Sequence, residues 1–218
     1  MCGIVGAIAE RNVTPILLDG LKRLEYRGYD SAGVAVLSGE IQRLRRAGKV
    51  EKLVEAVAAD PISGHLGIAH TRWATHGIPS EENAHPHLSR QEVAVVHNGI
   101  IENFAECRDE IKADGYALSS DTDTEVITNL LHRAWQQSND CRHAIEAVIP
   151  KLRGSFSLGI IFRAAPMHLF AVRHGSPLVI GIGVGEYFLA SDPHALRALT
   201  TNVVYLEDDD YADLTREG

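Results

Sequence analysis

Position 2 holds a cysteine whose chemistry depends on its neighbour. If Met1 is removed, as the small Cys2 side chain permits, the same residue carries a thiol and a free α-amino group. Such an amine titrates near about pH 8, low enough to act as a general base without a histidine partner. A thiol suits the arrangement because its thiolate is partly populated near neutral pH. The competing reading of Cys2 is a small buried apolar residue. Asn98-Gly99 offers a side-chain amide and an unobstructed backbone N–H, the two donor types that hold the oxyanion of an acyl-transfer intermediate. Asn-Gly is also the commonest tight hairpin turn, although Ile100-Ile101-Glu102-Asn103 does not read as a returning strand.

Arg72 and Asp123 supply a guanidinium fork and a carboxylate, which together complement the carboxylate and ammonium of a free amino acid. Each has a plainer alternative, a surface ion pair for Arg72 and a helix cap for Asp123. Thr75, His76, His85 and His87 crowd one polar segment. A metal site is rejected there, because no third and fourth ligand follows at zinc-like spacing. Cys2, Cys107 and Cys141 are odd in number, widely separated and without a CxxC pair, so neither a disulfide framework nor a zinc cluster is encoded. Gly181-Ile182-Gly183-Val184-Gly185 imitates a dinucleotide loop, but strands flank it and no helix follows, so it reads as a hairpin.

The elements that must position these groups follow from periodicity. Cys2–Ile8 reads as a buried strand. Thr14-Pro15 reads as the start of a helix carrying Ile16, Leu17, Leu21 and Leu24, with Thr14 as its cap. Val34–Leu37 and Ile41–Arg45 form a hairpin, Val50–Val57 a helix and Leu66–Ala69 a strand that empties into the polar segment 71–87. Val93–Val96 reads as a strand ending at Asn98-Gly99. Helices follow over about 103–113, from Thr122-Asp123-Thr124-Glu125, a capping box, and over about 144–152. From Ser155 four strands run in series and therefore pair antiparallel, and after a short helix at Asp192-Pro193 come strands at 203–206 and 211–214. Helical layers over mostly antiparallel sheets make an α+β layered fold.

The composition is that of an ordinary globular protein, with 45% hydrophobic and 23% charged residues among 218. Twenty-one basic against 29 acidic residues give a net charge of −8, which argues against nucleic-acid binding. No apolar run reaches membrane-spanning length, and the N-terminus lacks a secretory n-region, so a cytoplasmic location with no membrane partner is expected.

Five motifs, in order, carry a resemblance: Cys2-Gly3-Ile4-Val5-Gly6, Arg23 through Gly33 (RLEYRGYDSAG), His70 through Gly77 (HTRWATHG), His97-Asn98-Gly99-Ile100-Ile101-Glu102-Asn103 and Asp121-Thr122-Asp123-Thr124-Glu125. Together they closely resemble the glutaminase domain of the glucosamine-6-phosphate synthases over the whole chain, residues 1–218. The resemblance implies a four-layer αββα N-terminal-nucleophile hydrolase fold with two mostly antiparallel sheets. It implies that Cys2 attacks the side-chain amide of L-glutamine, that its own amine moves the proton, and that Asn98 and Gly99 hold the oxyanion. Arg72 would take the substrate carboxylate and Asp123 its ammonium, with Thr75 and His76 lining the pocket and Trp73 on a loop that closes over glutamine. No cofactor and no metal is implied. The family's sugar-isomerase region, which receives the ammonia in a homo-oligomeric complete enzyme, is absent from these 218 residues, leaving an isolated and monomeric half. Two alternatives stay open: a glutamine-sensing module without turnover, and a free-standing amidohydrolase.

Overall fold

The computed structural model of the protein describes residues 2–73 and 78–218. A seven-stranded sheet is built from β1 (Gly3–Ile8), β2 (Ser31–Ser38), β3 (Glu40–Ala47), β4 (Leu66–Arg72), β9 (Val179–Ile182), β10 (Tyr187–Ala190) and β11 (Val203–Tyr205), in the spatial order β11-β9-β10-β1-β4-β2-β3. A five-stranded sheet has the order β12-β8-β7-β6-β5, with β5 at His87–Ser89, β6 at Val93–Ile101, β7 at Gly154–Phe162, β8 at Leu169–His174 and β12 at Tyr211–Leu214. Every one of these pairings is antiparallel.

Three apolar clusters divide the molecule into four layers. The helices α1 (Thr14–Leu24) and α2 (Val50–Ala59) bury Leu17, Leu21 and Leu53 against Val5, Ala7 and Val34 on the outer face of the first sheet. The helices α3 (Phe104–Ala113), α4 (Asp123–Ser138) and α5 (Cys141–Val148) bury Ile111, Ile127, Leu131 and Ile145 against Val93, Val95 and Phe162 on the outer face of the second. Between the sheets lie Ile4, Ile8, Leu66, Ile68, Ala94, Val96 and Ile161. This is the expected αββα architecture.

Strand parity then fixes which polar side chains meet. Successive side chains of a strand point to opposite faces. In β1, Ile4 and Ile8 face the inter-sheet core while Val5 and Ala7 face α1, so Cys2 belongs to the inner face. In β4, Leu66 and Ile68 point inward, which carries His70 and Arg72 inward too. In β6, Ala94 and Val96 point inward and Val93 and Val95 outward, so Asn98 is an inner residue and His97 a helix-facing one. Cys2, His70, Arg72 and Asn98 thus converge where the apolar filling between the sheets runs out.

Several local expectations are corrected. Thr14 does not cap α1: Val13 occupies the cap position, and the Thr14 hydroxyl donates to the Ile62 carbonyl (2.9 Å) because the turn packs on that segment. Asn98-Gly99 is no turn. Strand β6 runs through it to Ile101, paired with β7 in the register Asn98↔Ser157 and Gly99↔Phe156. Nine residues of ladder outweigh the local turn preference. The last helix begins earlier than expected, at Cys141, because the Asp140 side chain accepts from the His143 N–H (3.0 Å) and caps it. Thr122 does cap α4, but Glu125 does not reach back to close the box; its carboxylate instead takes N–H and hydroxyl donors from Ser119 and Ser120. The Gly183–Glu186 segment is the β9–β10 hairpin turn, with Gly183 N–H donating to the Glu186 carbonyl (2.9 Å).

Candidate active site

The antiparallel register of β1 on β4 pairs Gly3 with Thr71, so one step further places Cys2 across from Arg72. Beyond Arg72 the Trp73 backbone clasps the thiol from both sides. Trp73 N–H donates to Cys2 Sγ (3.2 Å), and the Cys2 thiol donates to the Trp73 carbonyl (3.4 Å). Burial pushes the Cys2 thiol above its ordinary value, and the Trp73 N–H opposes this by favouring the thiolate. The Trp73 ring is half-exposed and lies across Gly28, where a Cβ would sit 2.3 Å from a ring carbon. Gly28, at φ +106°, has no side chain to obstruct it.

Asn98 reaches the same point from the other sheet. Its Nδ2 donates to the Cys2 carbonyl (3.3 Å), and its Oδ1 lies 3.0 Å from His70 Nε2. Gly99 has φ +124°, and a Cβ there would stand 1.9 Å from the Ser155 carbonyl oxygen. Only glycine fits, and a φ of this sign turns the 98–99 peptide unit away from regular strand orientation.

Arg72 is buried, with Nη1 3.6 Å from Asp30 Oδ1 and 3.4 Å from the Ile78 carbonyl. Asp30 is held in turn: its N–H donates to the Arg72 carbonyl (2.7 Å) and its carboxylate accepts from the Ser31 hydroxyl (2.8 Å). Asp123 opens α4, buried, with Oδ2 accepting from Ile101 N–H (2.9 Å) and Oδ1 3.6 Å from His97 Nδ1. It is therefore anchored to the strand that carries Asn98 and Gly99. Thr75 and His76 lie outside the described residues.

Behind Asn98 the structure assembles a group that sequence reasoning missed. His70, His85, His87 and His97 are buried together; the His70 and His85 rings lie 4.3 Å apart and those of His85 and His87 4.9 Å apart. Thr124 Oγ1 bridges His85 Nε2 (2.6 Å) and His97 Nδ1 (2.9 Å), and Thr122 Oγ1 meets His87 Nε2 (2.9 Å). Burial keeps His70 neutral, pushed down to about 3, and holds His85 and His87 well below their ordinary value. Among the described residues no three His, Cys, Asp or Glu side chains are grouped to hold a metal ion. Asp30 was missed as well. The signal for both was parity: His70 stands two residues before Arg72 on one strand, and Asp30 directly precedes the strand paired beside it.

A glutamine amidotransferase domain family matches residues 70–198, which is more than half of the chain. The chain belongs to this family. Among its relatives is the glutamine–fructose-6-phosphate aminotransferase (isomerizing) of Pseudomonas putida, 59% identical over 100% of this chain and 36% of the relative. Another of the same name, from Legionella pneumophila, is 51% identical over the same shares. The chain therefore spans about a third of the length of the curated relatives it matches. Among solved structures, the glutamine phosphoribosylpyrophosphate amidotransferase from B. subtilis superposes with TM-score 0.84 at 23% identity, covering 100% of this chain and 48% of that one, which shows a shared fold. The glutamine aminotransferase class-II domain protein from Silicibacter pomeroyi does so with TM-score 0.66 at 17% identity, covering 100% of this chain and 96% of that one. Within this amidotransferase domain no described helix is long and apolar enough to cross a membrane.

Proposed function

We propose that this domain hydrolyses the side-chain amide of L-glutamine through a Cys2 thioester. The observation that carries the reading is that the buried Arg72 lies across from Cys2 in its own sheet while Asn98 of the opposite sheet donates from Nδ2 to the Cys2 carbonyl. With Met1 removed, the Cys2 amine takes the thiol proton as sulfur attacks the amide carbon. Asn98 Nδ2 and the Gly99 N–H stabilise the oxyanion that forms. The amine returns the proton to nitrogen, the C–N bond breaks and ammonia leaves. Water then adds to the thioester, releasing glutamate and restoring the thiol. Arg72 takes the substrate carboxylate and Asp123 its ammonium, with Thr75 and His76 in the pocket wall and Trp73 covering it. Residues 1–218 form the N-terminal glutaminase domain of a longer protein whose sugar-isomerase region uses the ammonia to make glucosamine 6-phosphate from fructose 6-phosphate, as the names of the relatives suggest.

The test is glutamate release from L-glutamine, on protein whose N-terminus has been read by intact mass. Release is expected from protein beginning at Cys2, and neither from a Cys2→Ala variant nor from protein retaining Met1. Normal turnover with Met1 retained refutes the terminal-amine mechanism.

A further inference from the structure

The amide of Asn98 has two ends, and its orientation decides whether it offers a donor or an acceptor to the reacting centre. One neighbour of that amide is the Cys2 backbone carbonyl, at 3.3 Å, which can only accept. Nδ2 must therefore face Cys2, and Oδ1 must face His70 Nε2, 3.0 Å away. An amide oxygen can only accept, so the histidine has to donate from Nε2. We propose that His70 is a positioning residue for the glutaminase reaction, held as the Nε2–H tautomer so that it locks Asn98 with its NH₂ turned toward Cys2.

Three further observations agree. The His97 backbone also interacts with the ring, but Nδ1 has no hydrogen-bond partner among the described residues; a buried lone pair tolerates that far better than a buried N–H. His70 is completely buried between the sheets and packed against the His85 ring, so the imidazole cannot swing away. Burial also keeps it uncharged through the neutral range, so the donor it presents does not change with pH there. The amide's second N–H, with no partner among the described residues, is left to meet an oxyanion formed next to the thiol. Without His70 only the Cys2 carbonyl holds the amide, so the half turn that presents its oxygen, which repels negative charge, costs less.

This inference rests on the proposed glutaminase reaction, and its test separates the two. The ¹⁵N spectrum of the histidine side chains at pH 7 should place the His70 proton on Nε2; a proton on Nδ1 overturns the proposal whether or not glutamine is turned over. In steady-state kinetics, His70→Leu should lower kcat at least about 10-fold with KM for glutamine within about 2-fold, because the lost interaction acts on the transition state. His70→Gln, whose amide N–H₂ replaces the Nε2 donor, should restore kcat to within about 3-fold of the original. Equal losses in the two variants, a change confined to KM, or an unchanged kcat in His70→Leu overturn it. If His70→Leu does not fold, or the unaltered protein releases no glutamate, the tautomer measurement alone decides.

Discussion

Lowering the pH from 7 to 5 should destabilise this domain by at least about 2 kcal/mol, and the buried histidines set the amount. His70, His85 and His87 stay neutral in the fold, the first with its value pushed down to about 3 and the other two well below normal. In the unfolded chain each regains a value near about 6.5. Below that pH the unfolded state binds protons that the fold refuses, so the stability present above about 6.5 is lost progressively as pH falls toward about 3. For one such histidine the loss is RT ln(1 + 10^(6.5 − pH)), about 0.8 kcal/mol at pH 6 and about 2 kcal/mol at pH 5. His70 alone sets that loss, and His85 and His87, lowered by burial as well, add to it in the same direction, against a total of about 5 to 15 kcal/mol for a typical domain. His132, also lowered by burial, acts in the same direction. Urea unfolding followed by circular dichroism at pH 7, 6 and 5 and constant ionic strength measures this directly. The predicted slope steepens with acidity to at least about 1.4 kcal/mol per pH unit, the uptake of one proton, with His85 and His87 adding to it. In His70→Gln the drop between pH 7 and 5 should shrink by about 2 kcal/mol. A total drop under about 1 kcal/mol would mean that not even His70 is excluded from protonation, and the reasoning fails.

Gly99→Ala should cost at least about 3 kcal/mol and abolish glutamate release, since the new Cβ would meet the Ser155 carbonyl at 1.9 Å from a left-handed φ; an unchanged melting temperature would show that β6 relaxes there. Arg72→Lys should raise KM for glutamine at least about 10-fold with kcat little altered, because an ammonium cannot reproduce a two-pronged carboxylate contact; initial-rate measurements check this, and an unchanged KM removes Arg72 from the substrate carboxylate. Glu125→Ala should destabilise the domain by about 2 to 4 kcal/mol in urea unfolding, because Ser119 and Ser120 both lose a charged acceptor for their N–H and hydroxyl groups.

What the sequence made legible was what repeats with a period. The apolar runs of β1, β4 and β7 were readable because those strands are buried on both faces, and the 3.6-residue stripes of α1, α2 and α4 because each helix buries one face on a single core. Asn98-Gly99 misled because its turn signal is local, whereas the pairing that overrides it joins β6 to residues 154–162, more than fifty positions away. Thr14 misled for the same reason: its hydroxyl answers to Ile62 rather than to its own helix. The short strand β5 went unread at the end of a polar segment because its one histidine, His87, packs on the His85 ring and bonds Thr122, a partnership no periodicity announces. Of the candidate site, Cys2, Arg72, Asn98 and Asp123 were legible as chemical types. Their mutual placement was not, since Asp30 and His70 act only through partners that tertiary structure supplies.

Strand β1 sits between β4 and β10, so its two hydrogen-bonding edges are satisfied by residues 66–71 and 187–190. A ribosome adding about 5 to 20 residues per second needs on the order of 10 to 40 s after the first codons before residue 190 exists. Throughout that interval β1 lacks one of its neighbours, and residues 5–8 keep an open hydrogen-bonding edge. Until β10 docks, that edge is a template on which another chain can pair. Speeding synthesis, or moving the β10 segment earlier by circular permutation within the domain, shortens that exposure and should lower aggregation of the nascent chain.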